Sequence, residues 1–240
     1  MITGASSYLG KALASYLCKG DNRVLLTSRR VCGELEKLKS DYVKYLPSLD
    51  LVDEMDLDIL QRECGQFFHC GFHVINCVGY FPDYMPIETM RLEDAKKVLD
   101  SNILSVFGIA NKLLPLMSNH GGCHFIGFSM HTAYQNYPYM AIFSAAKLAL
   151  ESFIKGVANE YLHNEVYANV VSLATLRTET EKRIKPYGDY ENWLEADEVC
   201  NIVDNLINHS NGLINGSVIH AYKYSKTFFG ESYLNRIKKK

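Results

Sequence analysis

Segments patterned like buried strands and segments patterned like amphipathic helices alternate along all 240 residues of this chain, without internal repeat or linker. That alternation is the strongest constraint on the fold. Residues 23–27, 45–50, 74–79, 121–129, 169–175 and 217–221 read as strands, and residues 9–17, 33–41, 92–117, 143–157 and 195–209 read as helices. Strands joined by helices run parallel and need both faces covered, so the expectation is one α/β domain over residues 1–240, a doubly wound parallel sheet.

Two segments carry chemistry. The first is Thr3-Gly-Ala-Ser-Ser-Tyr-Leu-Gly10, a Gly-bearing turn between two strand residues and a helix. Backbone N–H groups and a helix N-terminus in such a turn can meet a pyrophosphate. The second runs from Ser129 to Lys147 and on into a helix whose apolar positions are Phe143, Ala146, Leu150, Phe153, Ile154 and Val157. Phe143 and Lys147 are one turn apart there, about 5–6 Å, and face one pocket.

In order and spacing these segments resemble the short-chain dehydrogenase/reductase family over residues 3–221. Gly4 and Gly10 match its Thr-Gly-x-x-x-Gly-x-Gly turn, with Ser6 and Leu9 inside it and Tyr8 at the middle Gly. The family has several strand residues before that turn; here there are two, so either the strand is short or the start lies upstream. Asp50 resembles the Asp beside the adenine, Asn76 and Gly79 the Asn-Asn-Ala-Gly motif, and Asn102 the helix-kinking Asn of a proton relay. Thr178 stands where a Thr touches the nicotinamide carboxamide or phosphates, and residues 179–193 fit a substrate lid, with residues 222–240 as a C-terminal tail. Arg29 and Arg30, with no acidic residue at the end of the second strand, favour NADP(H) over NAD(H).

The resemblance fails at the proton donor. Where the family has Tyr-x-x-x-Lys, with the Lys holding the cofactor ribose and lowering the Tyr pKa, this chain has Phe143-Ser-Ala-Ala-Lys147. The usual Ser position, thirteen residues before, holds Met130; Ser129, one residue earlier, is the candidate for that role. Three readings follow. One is an NADP-dependent oxidoreductase drawing its proton from Tyr139, His131, Tyr80 or Tyr84, or reducing a polarised C=C bond with a proton from water. A second is an inactive subunit binding cofactor or partner, and a third a non-redox isomerase or dehydratase. A small-molecule substrate fits the first and third, and aromatic and basic lid residues (Tyr187, Tyr190, Trp193, Lys182, Arg183, Lys185) would suit a sugar, a phosphorylated metabolite or an acyl thioester. The resemblance also implies a homo-oligomer paired through the helices of Asn102 and Lys147, or a mixed oligomer with an active relative.

Composition narrows the partners. A net charge of −2 argues against nucleic acid and anionic membrane, and the basic cluster Arg236–Lys240 reads as a solvated tail. Seven cysteines without metal-ligand spacing imply no metal and free thiols in a reducing cytoplasm. No signal peptide and no apolar run of about 18 residues is present.

Overall fold

The computed structural model describes residues 1–19, 22–135, 137–186 and 190–223. Strands β1 (Ile2–Thr3), β2 (Val24–Ser28), β3 (Val43–Pro47), β4 (Val74–Asn76), β5 (Cys123–Met130), β6 (Val166–Leu173) and β7 (Val218–Ala221) form one parallel sheet in the order 3-2-1-4-5-6-7. The order reverses between β1 and β4, where a doubly wound sheet opens a crevice at its carboxyl ends. Helices α1 (Tyr8–Leu17), α2 (Gly33–Glu36), α3 (Glu54–Phe67), α4 (Leu92–Leu99), α5 (Ser105–Ser118), α6 (Ala141–Glu160), α7 (Glu179–Ile184) and α8 (Ala196–Asn208) lie between the strands. The expected α/β architecture is the one observed.

Side-chain alternation along the strands divides the core in two. Phe125 of β5 packs with Leu57, Leu60, Ile109, Leu113, Leu150 and Ile154 of α3, α5 and α6. Its neighbours Ile126 and Phe128 point the other way, towards Leu9 and Leu13 of α1 and Val199 and Val203 of α8. Burial of both sheet faces explains why the strands read as near-continuous apolar runs.

Several elements differ from the sequence reading. Helix α3 is one that it does not supply: Asp53 caps it, accepting from the N–H groups of Met55 and Asp56, and Leu57, Leu60 and Cys64 face inwards. Strand β3 stops at Pro47 because Ser48 turns the chain with φ 63°. The helix at 33–41 is a single four-residue turn. The long helix at 92–117 is broken into α4, a π-helical turn at Asp100–Leu104, and α5. Within the expected lid are α7 and a 3-10 turn at Tyr190–Asn192. Tyr187 falls outside the described residues, as does the tail from residue 224 on, with its basic cluster. No helix among the described residues is long and apolar enough to cross a membrane.

Candidate active site

At the reversal point lies a cleft of ≈ 370 Å³ whose walls include Gly4, Ser6, Arg29, Asp50, Gly79 and Tyr80. Close backbone packing builds its floor. Gly4 has φ 63°, and a Cβ on it would stand 2.7–2.8 Å from backbone atoms of Cys77 and Val78. A Cβ on Gly10 would lie 2.4 Å from the Gly4 carbonyl oxygen. Only glycine permits this turn and helix to meet the end of β4. Ser7 caps α1 by accepting the Gly10 N–H at 3.0 Å. Leu9 is buried in the core, while Tyr8 opens α1 with its side chain 46% exposed.

At the end of β2, Arg29 lines the cleft and Arg30 is not among the lining residues. The Arg30 backbone is held instead: its carbonyl accepts from the hydroxyls of Ser28 and Tyr45, at 2.6 and 3.2 Å. Asp50 reaches the cleft past β3, with its N–H donating to Asp56 Oδ2 at 2.8 Å. At the end of β4, Asn76 Oδ1 accepts from Thr3 Oγ1 at 2.6 Å and from the Val78 N–H at 3.2 Å. That residue ties β1 to β4.

Asn102 explains the π-helical turn. Its Nδ2 donates to the carbonyl oxygens of Val98, one turn back, and Tyr80, at 2.9 and 2.8 Å. Such a turn carries one surplus residue and interrupts the ordinary helical ladder. Oδ1 of the same side chain is buried with no hydrogen-bond partner among the described residues. Lys147 enters from α6, is 8% exposed, and donates to the Phe128 carbonyl at 3.0 Å. Burial, opposed by the nearby Cys77 thiol, pulls its pKa down to about 8. A Cβ placed on Gly79 would lie 3.1 Å from Asn102 Oδ1 and 3.4 Å from Lys147 Nζ. A buried acceptor and a buried ammonium thus converge on the bare backbone of Gly79.

Phe143 is half-buried, and the Lys147 ammonium stands 5.7 Å from its ring centroid. The ring packs on Phe81 at 4.9 Å, and Phe81 on Tyr84 at 5.2 Å. Ser129 lies beside Glu151, two helical turns beyond Phe143 and roughly 12 Å along the axis of α6. Its hydroxyl makes no hydrogen bond of normal geometry, yet is near enough to favour the ionised form of Glu151. Glu151 is 3% exposed, accepts from the Tyr134 hydroxyl, and has its pKa raised by burial, against the pull of Ser129, Lys155 and His220. Thr178 caps α7, accepting the Glu181 N–H at 3.0 Å, and is not among the cleft residues.

Gly4, Ser6, Arg29, Asp50 and Gly79 therefore share the cleft, Asn102 and Lys147 close its inner end, and Arg30, Ser129 and Thr178 do not join them. Of the four alternative proton sources, Tyr80 lines the cleft and Tyr84 reaches Phe143 through Phe81. His131 packs instead against His220 and Tyr222, and Tyr139 is 57% exposed. Glu151, absent from the sequence reading, stands four residues after Lys147 on the same helical face, a spacing that could have revealed it. Lys97, Asp100, Ser101 and Ser105 also line the cleft, from α4, the π-helical turn and the first residue of α5, and such a turn leaves no periodic signal.

A family model described as enoyl-(acyl carrier protein) reductase matches residues 4–221, nearly the whole described chain. The chain belongs to the short-chain dehydrogenase/reductase family. An uncharacterised oxidoreductase of Staphylococcus aureus (strain N315) is 25% identical over 175 residues, covering 72% of this chain and 75% of that protein. A short-chain type dehydrogenase/reductase from Mycobacterium ulcerans superposes with a TM-score of 0.82 at 19% identity, over 98% of this chain and 96% of that one. A Tyr-to-Phe variant of ElxO with NADPH bound superposes at 0.78 with 24% identity, over 98% and 97%. These likenesses show the short-chain dehydrogenase/reductase fold over nearly the whole chain.

Proposed function

We propose that this protein is a nicotinamide-dependent oxidoreductase, NADP(H) preferred, that reduces a polarised C=C bond rather than a ketone. One observation carries the cofactor part. Asn102 Oδ1, buried without a partner among the described residues, and Lys147 Nζ stand 3.1 and 3.4 Å from where a Cβ on Gly79 would lie, a pair that would suit the hydroxyls of a ribose. That cradle fits a dinucleotide, and a side chain at position 79 would fill it. The Arg29 side chain at the adenosine end of the cleft, with no carboxylate at the end of β2, supports the 2′-phosphate form.

When bound, the reduced cofactor would supply a hydride. Lys147 and Asn102 would hold and orient it, and Phe143 with Phe81 would form an apolar wall beside it. Ketone reduction needs a proton on oxygen as charge develops there, and Phe143 has none to give. In a conjugated enone or thioester the hydride goes to the β-carbon, and the α-carbon then takes its proton from solvent, which tolerates the missing hydroxyl. The family model's description and the NADPH carried by the ElxO variant are consistent with this reading. The seven cysteines are unpaired, in keeping with a cytoplasmic location. Leu104 and Phe107, exposed on the α5 side, and the 6.1 Å contact of Phe107 with Phe153 support pairing of copies through α5 and α6.

Fluorescence titration with NADPH and NADH tests the reading. Wild type should bind NADPH more tightly, and Lys147→Ala should bind neither. Equal, weak binding by both proteins would favour the second reading, an inactive partner-binding subunit, towards which Tyr8 at the phosphate turn and Phe143 at the donor position point.

A further inference from the structure

The carboxyl ends of β5, β6 and β7 present a row of polar side chains. Ser129 is in register with Ser172, and Ser172 with His220. All three lie on the face that α6 covers, alternating with the apolar residues of the opposite face. Past β5 the chain makes a 3-10 turn, His131–Gln135. Its rings meet those of the β7 end: His131 lies 5.5 Å from His220 and 5.6 Å from Tyr222, and Tyr134 lies 5.8 Å from His220. Tyr134 is 47% exposed, yet its hydroxyl reaches inward and donates to the buried carboxyl of Glu151 on α6.

Glu151 Oε1, Ser129 Oγ, Ser172 Oγ and His131 Nδ1 are buried with no hydrogen-bond partner among the described residues. Native folds seldom leave buried polar atoms unpaired, and each one left so costs free energy. The ionisable groups around the carboxyl are Tyr134 and His131 from the turn, His220 from β7 and Lys155 from α6, while β5 and β6 bring the two serines. Burial raises the Glu151 pKa, and Ser129, Lys155 and His220 offset only part of that rise. A carboxylate would accept a stronger bond from Tyr134 than a neutral carboxyl does, but burial outweighs it. Of the walls around Glu151, strands and α6 are held by regular ladders, whereas a 3-10 turn has poorer hydrogen-bond geometry and gives first.

We infer that the His131–Gln135 turn is a latch, held shut by Tyr134 on the neutral carboxyl of Glu151 and loosened when that carboxyl ionises. The proton goes to solvent, and water entering past Tyr134 solvates the anion and the unpaired hydroxyls beside it. The sign follows from linkage. The shut form has the raised pKa, and the open form the ordinary value of 4.5. The preference for the shut form is therefore whole below that value and shrinks as pH rises through the raised one. The turn precedes α6 in the chain, so its seating bears on the helix start that carries Phe143 and Lys147. The latch does not depend on the reaction proposed above.

Hydrogen exchange of the amides of residues 131–135, read by mass spectrometry against the α3 amides of the same molecule, tests it. Each rate is corrected for the intrinsic effect of pH. In wild type the ratio of turn to α3 opening should rise by up to about tenfold per pH unit above about pH 4.5 and then level off. Glu151→Gln keeps an acceptor for Tyr134 and cannot ionise, so its ratio should stay low and flat. Tyr134→Phe removes the donor and should raise the ratio several-fold at the acid end. A flat ratio in wild type overturns the proposal. So does a slope that survives in Glu151→Gln, which would belong to His131 or His220. Tyr134→Phe matching wild type at the acid end overturns it too, and that arm stands even where Glu151→Gln fails to fold.

Discussion

Gly79→Ala separates binding from folding more cleanly than any other single change. The new methyl would sit 3.1 Å from Asn102 Oδ1 and 3.4 Å from Lys147 Nζ, tight contacts that small side-chain shifts relieve. Gly79 does not have a positive φ, so alanine meets no left-handed penalty and gains from a stiffer unfolded chain. Fold stability should therefore change by less than about 1 kcal/mol. The cofactor would lose a charged and a neutral hydrogen bond, together about 3 kcal/mol, or roughly a hundredfold in Kd. Gly4→Ala is the control. Its Cβ meets backbone atoms at 2.7–2.8 Å in a left-handed turn, so it should cost several kcal/mol of stability, on the order of 2–4. NADPH fluorescence titration and urea unfolding on both variants give the two axes. If Gly79→Ala binds NADPH within about threefold of wild type while staying folded, the cradle is not where the cofactor sits.

Other expectations follow from the same geometry. Phe143→Tyr should gain ketone reductase activity, raising the rate by about 10²–10⁴ through one acid positioned next to Lys147; turnover of a ketone panel by the two proteins checks this, and no gain argues that the reacting carbon lies elsewhere. Arg29→Asp should reverse the NADPH-over-NADH preference measured by titration, and an unchanged ratio would remove Arg29 from phosphate recognition. Burial, with a lesser push from His124, lowers the His73 pKa from 6.5 to about 4. The unfolded chain then binds a proton between those values that the folded chain refuses, so this contribution is intact above pH 6.5 and lost as pH falls, by about 3 kcal/mol at pH 4. Urea midpoints from neutral to acid pH should fall more steeply for wild type than for His73→Gln, and parallel curves would refute the assignment.

The sequence carried the sheet because helix and strand periods differ, and β2, β4, β5 and β6 appear near their expected positions. The cleft was legible where glycine is compulsory, at Gly4 and Gly10, and where one helical turn aligns Phe143 with Lys147. Direction was less legible. Ser129 is a plausible reactive serine by position, but strand alternation aims it, with Phe125 and Gly127, at α6, where it meets Glu151. Thr178 has a second, structural use that its position also signals, since a Thr before an acidic turn is a good helix cap. Helix α3 had its capping Asp53 and its Leu57, Leu60 and Cys64 stripe in plain sight. The neighbouring Asp50–Asp53 pair draws the eye to cofactor binding and away from that stripe.

The surplus residue at Asp100–Leu104 has an effect well beyond the carbonyl groups it rearranges. One residue is about 100° of helical rotation, so inserting it sets which side of α5 looks outward. Val106, Ile109, Ala110 and Leu113 are thereby turned to the sheet and Leu104 and Phe107 to the outside. Excising a single residue from that turn would swing the aromatic ridge inward and dismantle any surface where two copies could meet. The asparagine whose carboxamide stands beside Gly79 thus also fixes the orientation of the outer face of α5.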